Sequence, residues 1–445
     1  MGKLFGTNGV RGVFGEDFTL DMVHDLTLAM AKYFGRGPIL VGRDGRHTSD
    51  MVSKVVRSTL NYAGLDTADA GLVPTPCLEY CVKHLKYAGG VMVTASHNPP
   101  EYNGLKPVAS DGVEVSRHDE HIIEENYFNS TNRRSGPKFG TDIPEDRTIS
   151  TYVSGILNHL DTDAIRQKNY TVVLDMGNGA QAVTAPLLCK SLNCNIIPIH
   201  DTVHGDFPGR GSEPTPENLQ DLSYTVKRNN ADIGVAFDGD GDRSIICDEN
   251  GSILTGDRSA LFLLDYILQR QPNSTVVTCL NSAHAVETLA EQYDSNVIRT
   301  KVGSVEVSRR MVDVGALVGF EENGGFMFGA HNQVRDGLMT LSLALSALAS
   351  SNNTISANIS KLPLSFTTKE KVHCTPEESA QILEKLHNMH PEADRTDGIK
   401  IILKPDTWIM VRPSGTEPLV RIYAEAPSST ELSSIISKYI HVIKS

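Results

Sequence analysis

Tryptophan occurs once in this chain, and no apolar run approaches the length that spans a bilayer, so a helical membrane protein is not expected. Cysteine is sparse and scattered: seven residues, at 77, 81, 189, 194, 247, 279 and 374, form no CxxC pair. An odd, dispersed set argues against a disulfide frame or a zinc site and reads as reduced core residues of a cytosolic protein. The first residues lack a signal-peptide apolar region, and Gly6 stands where a myristoylation signal wants Ser or Thr. Positive charge is also short, with 41 Lys and Arg against 54 Asp and Glu, a net −13. That balance disfavours nonspecific nucleic-acid or anionic-membrane partners. An anionic ligand would need its arginines and lysines gathered locally. The Walker pattern GxxxxGK[ST] and the GxSxG elbow are both absent, which removes the obvious nucleotide site and the α/β-hydrolase nucleophile. A cytoplasmic protein is expected.

What the chain does contain is length and alternation. Its 445 residues exceed one ordinary core and suggest about three domains, with four as an option. Short β-rich runs alternate with helical spacing, the pattern of α/β layering. "PILVGRDGR" (38–46) is a strand running into a polar loop, followed by helical spacing at Met51, Val55 and Leu60. "YTVVLDMGNGA" (170–180), "ADIGVAFDGDGDR" (231–243) and "STVVTCLNS" (274–282) repeat the theme, as a duplicated α/β unit would. The polar stretch 129–147 and the segments 248–257 and 350–360 mark changes of pattern, and a smaller unit starts near 366.

The densest chemistry is "FDGDGDR" (237–243), in which Asp238, Asp240 and Asp242 alternate with glycines after a strand. Three carboxylates so close repel one another unless a cation joins them, and all-oxygen donors favour Mg2+ or Ca2+ over zinc or copper. Counted as an EF-hand, the loop places acids at positions 1, 3, 5 and 12, but position 6 is Arg243 instead of glycine, and a strand precedes it. An arginine beside the carboxylates suits phosphate instead.

"GGVMVTASHNPPEYNGLK" (89–106) ends an apolar run on Ser96, His97 and Asn98 and then fixes the turn with Pro99 and Pro100. A Ser–His–Asp triad has no indicated partners here. A seryl oxygen carrying a phosphoryl group, set against a cation held by three aspartates, accounts for both loops together. Lys106 is a candidate general acid or base, or equally a fixed positive charge. In "RPSGTEP" (412–418), Arg412, Ser414, Gly415 and Thr416 offer fork donors, hydroxyls and a close backbone, with Arg421 just beyond, all suited to a second phosphate.

Together, "TASHNPPEYNGLK" and "DGDGDR" resemble the α-D-phosphohexomutases. "FGTNGVRG" (5–12), "GRDGR" (42–46), "PGRGSEPTPENL" (208–219), "GFEENGG" (319–325) and "RPSGTEPLVRIYAEA" (412–426) follow in the family's order. The resemblance implies an α/β fold of three duplicated α/β domains with mixed sheets and a smaller α+β C-terminal domain around a central cleft. The expected boundaries are 1–150, 151–250, 251–365 and 366–445. It implies that Ser96 is a phosphoserine, that Ser96, Asp238, Asp240 and Asp242 hold one Mg2+ per subunit, and that Arg11, His97, Lys106 and Arg243 line the reacting centre. Glu321 and Asn323 would grip sugar hydroxyls, Gly303 would belong to the third-domain loop beside Lys301 and Ser304, and Arg412, Ser414, Gly415, Thr416 and Arg421 would bind the remote phosphate. Many relatives carry Gly-Glu-x-Ser-Gly-His in the sugar loop; here Asn323 takes the Ser place and Gly325 the His place, with His331 six residues on.

The implied reaction moves phosphate between carbons 6 and 1 of a hexose or hexosamine phosphate through a bisphosphate, with a hexose 1,6-bisphosphate as activator. Phosphoglucosamine mutase is the leading specificity and phosphomannomutase/phosphoglucomutase the runner-up. A non-catalytic phosphosugar- or Ca-binding protein is the alternative of another class. The oligomeric state is left open, with a homodimer as one option.

Overall fold

The computed structural model describes residues 4–129, 138–414 and 418–444, and their backbone forms four sheets. In the first, Ile39–Arg43 pairs in parallel with Thr67–Leu72 on one side and Gly89–Val93 on the other; Tyr102–Ala109 then folds back antiparallel on Gly89–Val93. The second sheet repeats this order with Thr171–Asp175, Asn195–Ile199, Ile233–Phe237 and Ser244–Cys247. The third repeats it again with Thr275–Cys279, Asn296–Thr300, Val318–Phe320 and Phe326–Phe328. All three are mixed sheets of one topology, so the expected duplication holds. The fourth sheet is wholly antiparallel, in the order Phe366–His373, Leu419–Ala426, Thr407–Pro413, Ile399–Lys404.

Position in the repeat decides position in the site. In each α/β unit the turn after the third strand leads into the antiparallel return strand. Those turns are residues 94–101, 238–243 and 321–325, the serine, aspartate and sugar loops respectively. The third strands read as uninterrupted apolar runs because both faces are covered: Gly89–Val93 and Ile233–Phe237 are buried at every residue.

The helices are delimited as their sequences dictate. Thr19 caps Leu20–Phe34, which ends on left-handed Gly35; Ser116 and Thr375 make capping boxes with Asp119 and Glu378. Ser49–Tyr62 is a helix as its spacing suggested, but its buried face is Val52, Val56 and Leu60, whereas Met51 is exposed. Within the polar stretch 129–147, Asp142–Pro144 adds an exposed edge strand to the first sheet. The cysteines are all free, five of them buried and Cys194 and Cys374 only partly so. No helix among the described residues is long and apolar enough to cross a membrane.

One apolar core runs through the first three units, from Leu40 and Tyr80 through Tyr152 and Phe237 to Phe320 and Leu345. The fourth unit has its own core around Ile399, Val411, Ile422 and Tyr439. It meets the third through a small cluster of Leu280, Trp408, Met410 and Tyr423 and through polar contacts that include Lys400 Nζ donating to Leu280 O at 2.5 Å, His284 N to Glu425 at 2.7 Å and Val302 N to Asp397 at 2.9 Å. The first three units are therefore fused, and the fourth is attached.

Candidate active site

Ser96 and the aspartate loop come from different units yet touch. Ser96 Oγ donates to Asp238 Oδ2 at 2.8 Å, and the serine is buried in the left-handed region at φ 51°. This approach requires Gly239, because a Cβ there would stand 2.6 Å from the Ser96 carbonyl oxygen. Neighbouring elements absorb the loop's carbonyls: Asp240 O accepts from Thr75 N at 2.9 Å, Gly239 O from Ala180 N at 3.0 Å, and Gly241 O from Gln181 Nε2 at 2.9 Å. The acidic turn is thus clamped, not a solvated surface loop.

The three carboxylates are buried, with one ligand atom from each lying within 4.8 Å of the others. Burial, and then repulsion from Asp242 and Asp240, pushes Asp238 up to about 7. Burial would push Asp240 up as well, but Lys106 Nζ at 2.6 Å and Thr75 Oγ1 at 2.6 Å pull it below the usual carboxylate range. Lys106 also reaches Asp242 at 3.1 Å; burial opposes its charge, but the two carboxylates more than compensate and raise its pKa. Asp240 Oδ1 and Asp242 Oδ1 remain buried with no hydrogen-bond partner. Two orphaned carboxylate oxygens in an all-oxygen set beside a serine hydroxyl fit a hard divalent cation.

Cations ring this centre. Arg243 donates from its amide and Nε to Asp238, at 3.1 and 3.3 Å. Arg11 donates to Ala95 O at 3.1 Å and Asn98 Oδ1 at 2.8 Å, and burial lowers its pKa to about 10. His97 Nδ1 lies 3.5 Å from Ser96 Oγ; burial, then Arg243 and Arg11, hold its ring neutral. The "PGRGSEP" signature is a brace. Arg210 ties Asp175 to Phe237 O, both at 2.6 Å, and Ser212 Oγ lies 2.7 Å from His97 O and 2.9 Å from Asn98 O.

The sugar loop joins the same network through a residue that sequence reasoning missed. Arg335 donates to Asp242 Oδ2 at 2.5 Å and to Glu321 Oε2 at 3.2 Å. It also covers Gly325, where a Cβ would collide with Arg335 Cδ. The aliphatic stem of the arginine therefore lies where a side chain at position 325 would begin. Burial raises the Glu321 pKa against the pull of Arg335 and Arg243. Asn323 Oδ1 accepts from Gly325 N at 3.1 Å, which closes the turn. His331 is a packing residue, stacked on Tyr80 with ring centroids 4.3 Å apart.

Gly303 sits against Thr7 and Arg117, and Asn8 Nδ2 donates to Ser304 Oγ at 3.1 Å, so "FGTNGVRG" spans from the third-unit loop to the serine loop. In the fourth unit, Arg412 and Arg421 are directly opposite on adjacent strands and so share a face. Like charges so placed repel, which an anion between them would offset. Arg412 Nε pairs with Asp397 Oδ1 at 2.8 Å, and both border a cavity shared with Lys301, Arg117 and His118. Ser414 N donates to Leu419 O at 2.9 Å. Gly415 and Thr416 lie outside the described residues. No contact among the described residues joins Arg412 directly to Ser96.

Four family models match the chain in sequence. Phosphoglucomutase/phosphomannomutase alpha/beta/alpha domains I, II and III cover residues 2–134, 150–251 and 255–366, and the C-terminal domain covers 366–439. The chain belongs to the phosphoglucomutase/phosphomannomutase family. It is 41% identical, over the full length of both chains, to a phosphoglucosamine/phosphogalactosamine mutase of Sulfurisphaera tokodaii. It is 36% identical to a phosphoglucomutase/phosphomannomutase of Thermococcus kodakarensis, covering 96% of this chain and 95% of that one. A solved family member from Burkholderia thailandensis superposes with a TM-score of 0.84 at 25% identity, covering 98% of this chain and 97% of the other. As a member of this mutase family, the chain is an enzyme of the phosphohexomutase class.

Proposed function

We propose that this phosphohexomutase interconverts glucosamine 6-phosphate and glucosamine 1-phosphate, with Ser96 as the phosphoryl carrier. The contact between Ser96 Oγ and Asp238, beside the unpartnered oxygens of Asp240 and Asp242, carries the reading. Asp238, Asp240 and Asp242 would hold Mg2+ with the seryl phosphate. Bound there, the ion would neutralise charge on the transferring group.

The chain's own groups do the rest. Arg243 and Arg11 supply fork donors for phosphoryl oxygens, and Lys106 enters as a cation already paired to Asp240 and Asp242, which supports charge fixing over proton transfer. A sugar hydroxyl attacks the phosphorus of phosphorylated Ser96. The P–Oγ bond breaks, a P–O bond to the sugar forms, and the hydroxyl proton leaves to a base. The resulting bisphosphate turns in the cleft; Ser96 Oγ attacks its other phosphorus, the P–O bond to the sugar breaks, and the freed sugar oxygen takes a proton back from the base. A trace of hexose 1,6-bisphosphate loads Ser96 at the start. The separately cored fourth unit, carrying Arg412 and Arg421, suits a part that loosens for this turn while the fused units keep the metal–serine geometry. Glu321 and Asn323 would face the sugar hydroxyls.

The choice of glucosamine rests on the similarity to the Sulfurisphaera enzyme, and a phosphomannomutase/phosphoglucomutase is the second reading, on the similarity to the Thermococcus enzyme. We expect kcat/KM, with Mg2+ and trace bisphosphate, to favour glucosamine phosphate over mannose and glucose phosphates by about tenfold or more, a difference of about 1.4 kcal/mol. Comparable rates on all three would replace the first reading by the second. Absence of turnover on any would remove both.

Arg412→Ala is expected to raise KM and lower kcat/KM by about 10- to 100-fold, the loss of one charged hydrogen-bonding partner. Unchanged steady-state kinetics would mean that the remote phosphate binds elsewhere.

A further inference from the structure

A second donor set lies behind the serine loop, where the first unit meets the second. His47 follows Arg46 at the end of "GRDGR", and His204 and Asp206 lie in the loop that leads to the Arg210 brace. One ligand atom from each of the three lies within 4.8 Å of the other two. His47 Nε2 is 3.0 Å from Asp206 Oδ1, and His204 Nδ1 is 3.8 Å from Asp206 Oδ2. Donors on a tetrahedral zinc with bonds of roughly 2.0–2.1 Å stand about 3.3 Å apart. The two separations, measured to different oxygens of the carboxylate, lie on either side of that value.

We propose that His47, His204 and Asp206 form a site for a borderline divalent transition metal, Zn2+ in the first instance, that clips the first unit to the second. Two imidazoles and one carboxylate are a donor set suited to zinc, copper or nickel and poorly suited to Mg2+, so the site is chemically distinct from the aspartate loop.

The donors are positioned before any ion arrives. Gly205 passes so close to His47 that a Cβ there would stand 2.5 Å from the His47 amide nitrogen. His204 N donates to Asn178 O at 3.0 Å, and Asn178 Nδ2 donates to Thr202 O at 2.8 Å, so the loop is pinned at its base. Phe207, next to Asp206, is buried under the guanidinium of Arg46, 5.1 Å from its ring centroid. Each flank of the triad is therefore anchored to the core while the three side chains stay half exposed, at 59%, 46% and 60% for His47, His204 and Asp206. His204 Nδ1 accepts from the Asp206 amide at 3.2 Å and lies on the side of the carboxylate. A metal bound to the three side chains would displace this long bond and replace the direct pairing of His47 Nε2 with Asp206 Oδ1. Water would complete the coordination, and the gain would be a cross-link between units.

The test is calorimetric titration of the full chain with ZnCl2 under excess Mg2+, which keeps the aspartate loop engaged, together with thermal melts. One equivalent should bind in the micromolar range and raise the melting midpoint. His204→Ala and, separately, His47→Ala should each weaken binding by about tenfold or more and remove the rise, while Mg2+-supported mutase activity persists. No zinc binding in the intact chain would overturn the site. Undiminished binding in both variants would overturn it as well, since the ion would then sit elsewhere. His204→Ala lies in an exposed loop and reads independently should His47→Ala fail to fold.

Discussion

Ser96→Ala is expected to lower mutase turnover by about 10⁴-fold or more while leaving sugar-phosphate binding in place. Loss of a covalent carrier has no local substitute, and removal of a nucleophile from a working constellation commonly costs that much. The variant is a clean probe because the backbone has little reason to move. Alanine pays the same penalty as serine for the left-handed φ of 51°, and the Ser96 carbonyl and amide keep Arg46 and Thr94 as partners. Asp238 loses one donor and keeps the amide and Nε of Arg243. The decisive comparison pairs kcat on glucosamine 6-phosphate with calorimetric binding of the same ligand. Radiolabelled bisphosphate should mark Ser96 in the parent chain and mark nothing in the variant. Retained turnover removes Ser96 from the reaction, and joint loss of binding and turnover would make its hydroxyl structural.

The buried halves of the fold were legible because burial on both faces leaves a direct trace: runs such as "VMV" and "IGVAF" become uninterrupted apolar strands. Exposure weakens that trace. Asp142–Pro144 is exposed at each residue and ends in proline, so nothing in its sequence separates it from the loop around it. The helix Ser49–Tyr62 showed its period but not its phase: Met51 is as apolar as Val52, and only packing against the sheet decides which one is covered. The shared strand order of the three units was also out of reach, since pairing partners lie far apart in the chain.

The same division holds in the site. The aspartate triplet announces itself because its three charges are local, and the local repulsion demands an explanation. Arg335 and Arg46 give no such signal. Arg335 stands alone in a polar stretch, and Arg46 closes the "GRDGR" motif without showing what it binds; their meaning comes from contacts 93 residues away at Asp242 and 50 residues away at Ser96. The departure of the sugar loop from the family pattern at Gly325 was visible, but the side chain packed against that glycine was not. The collision between a Gly325 side chain and Arg335 exists only in the folded chain.

Arg46→Met should be the most disruptive substitution outside the reacting groups. The Arg46 side chain is wholly buried, and its five N–H donors meet five acceptors: Asp44 Oδ2 at 3.1 Å, and the carbonyls of Pro99 at 2.6 Å, Tyr102 at 3.0 Å, Ser96 at 2.8 Å and Asn98 at 2.7 Å. One guanidinium thus fixes the serine loop at three points and the first residue of its return strand at a fourth. Methionine fills a similar volume but strands Asp44, also fully buried, against the two hydroxyls of Ser49 and Thr94 and a backbone amide. Breaking a buried ion pair costs about 3–5 kcal/mol, a large share of a typical domain's stability. The melting midpoint of the fused units should fall accordingly. Below it, kcat should drop by about 10²-fold with KM little changed, because the serine loses its aim toward Asp238 while the remote phosphate site stays intact. Arg46→Lys separates the two effects. A lysine restores a charge for Asp44 but has at most three donors and no planar fork, so it should recover part of the stability and little of kcat. Full recovery of kcat by lysine would mean that charge alone positions Ser96, and the five-point geometry would not matter to the reaction.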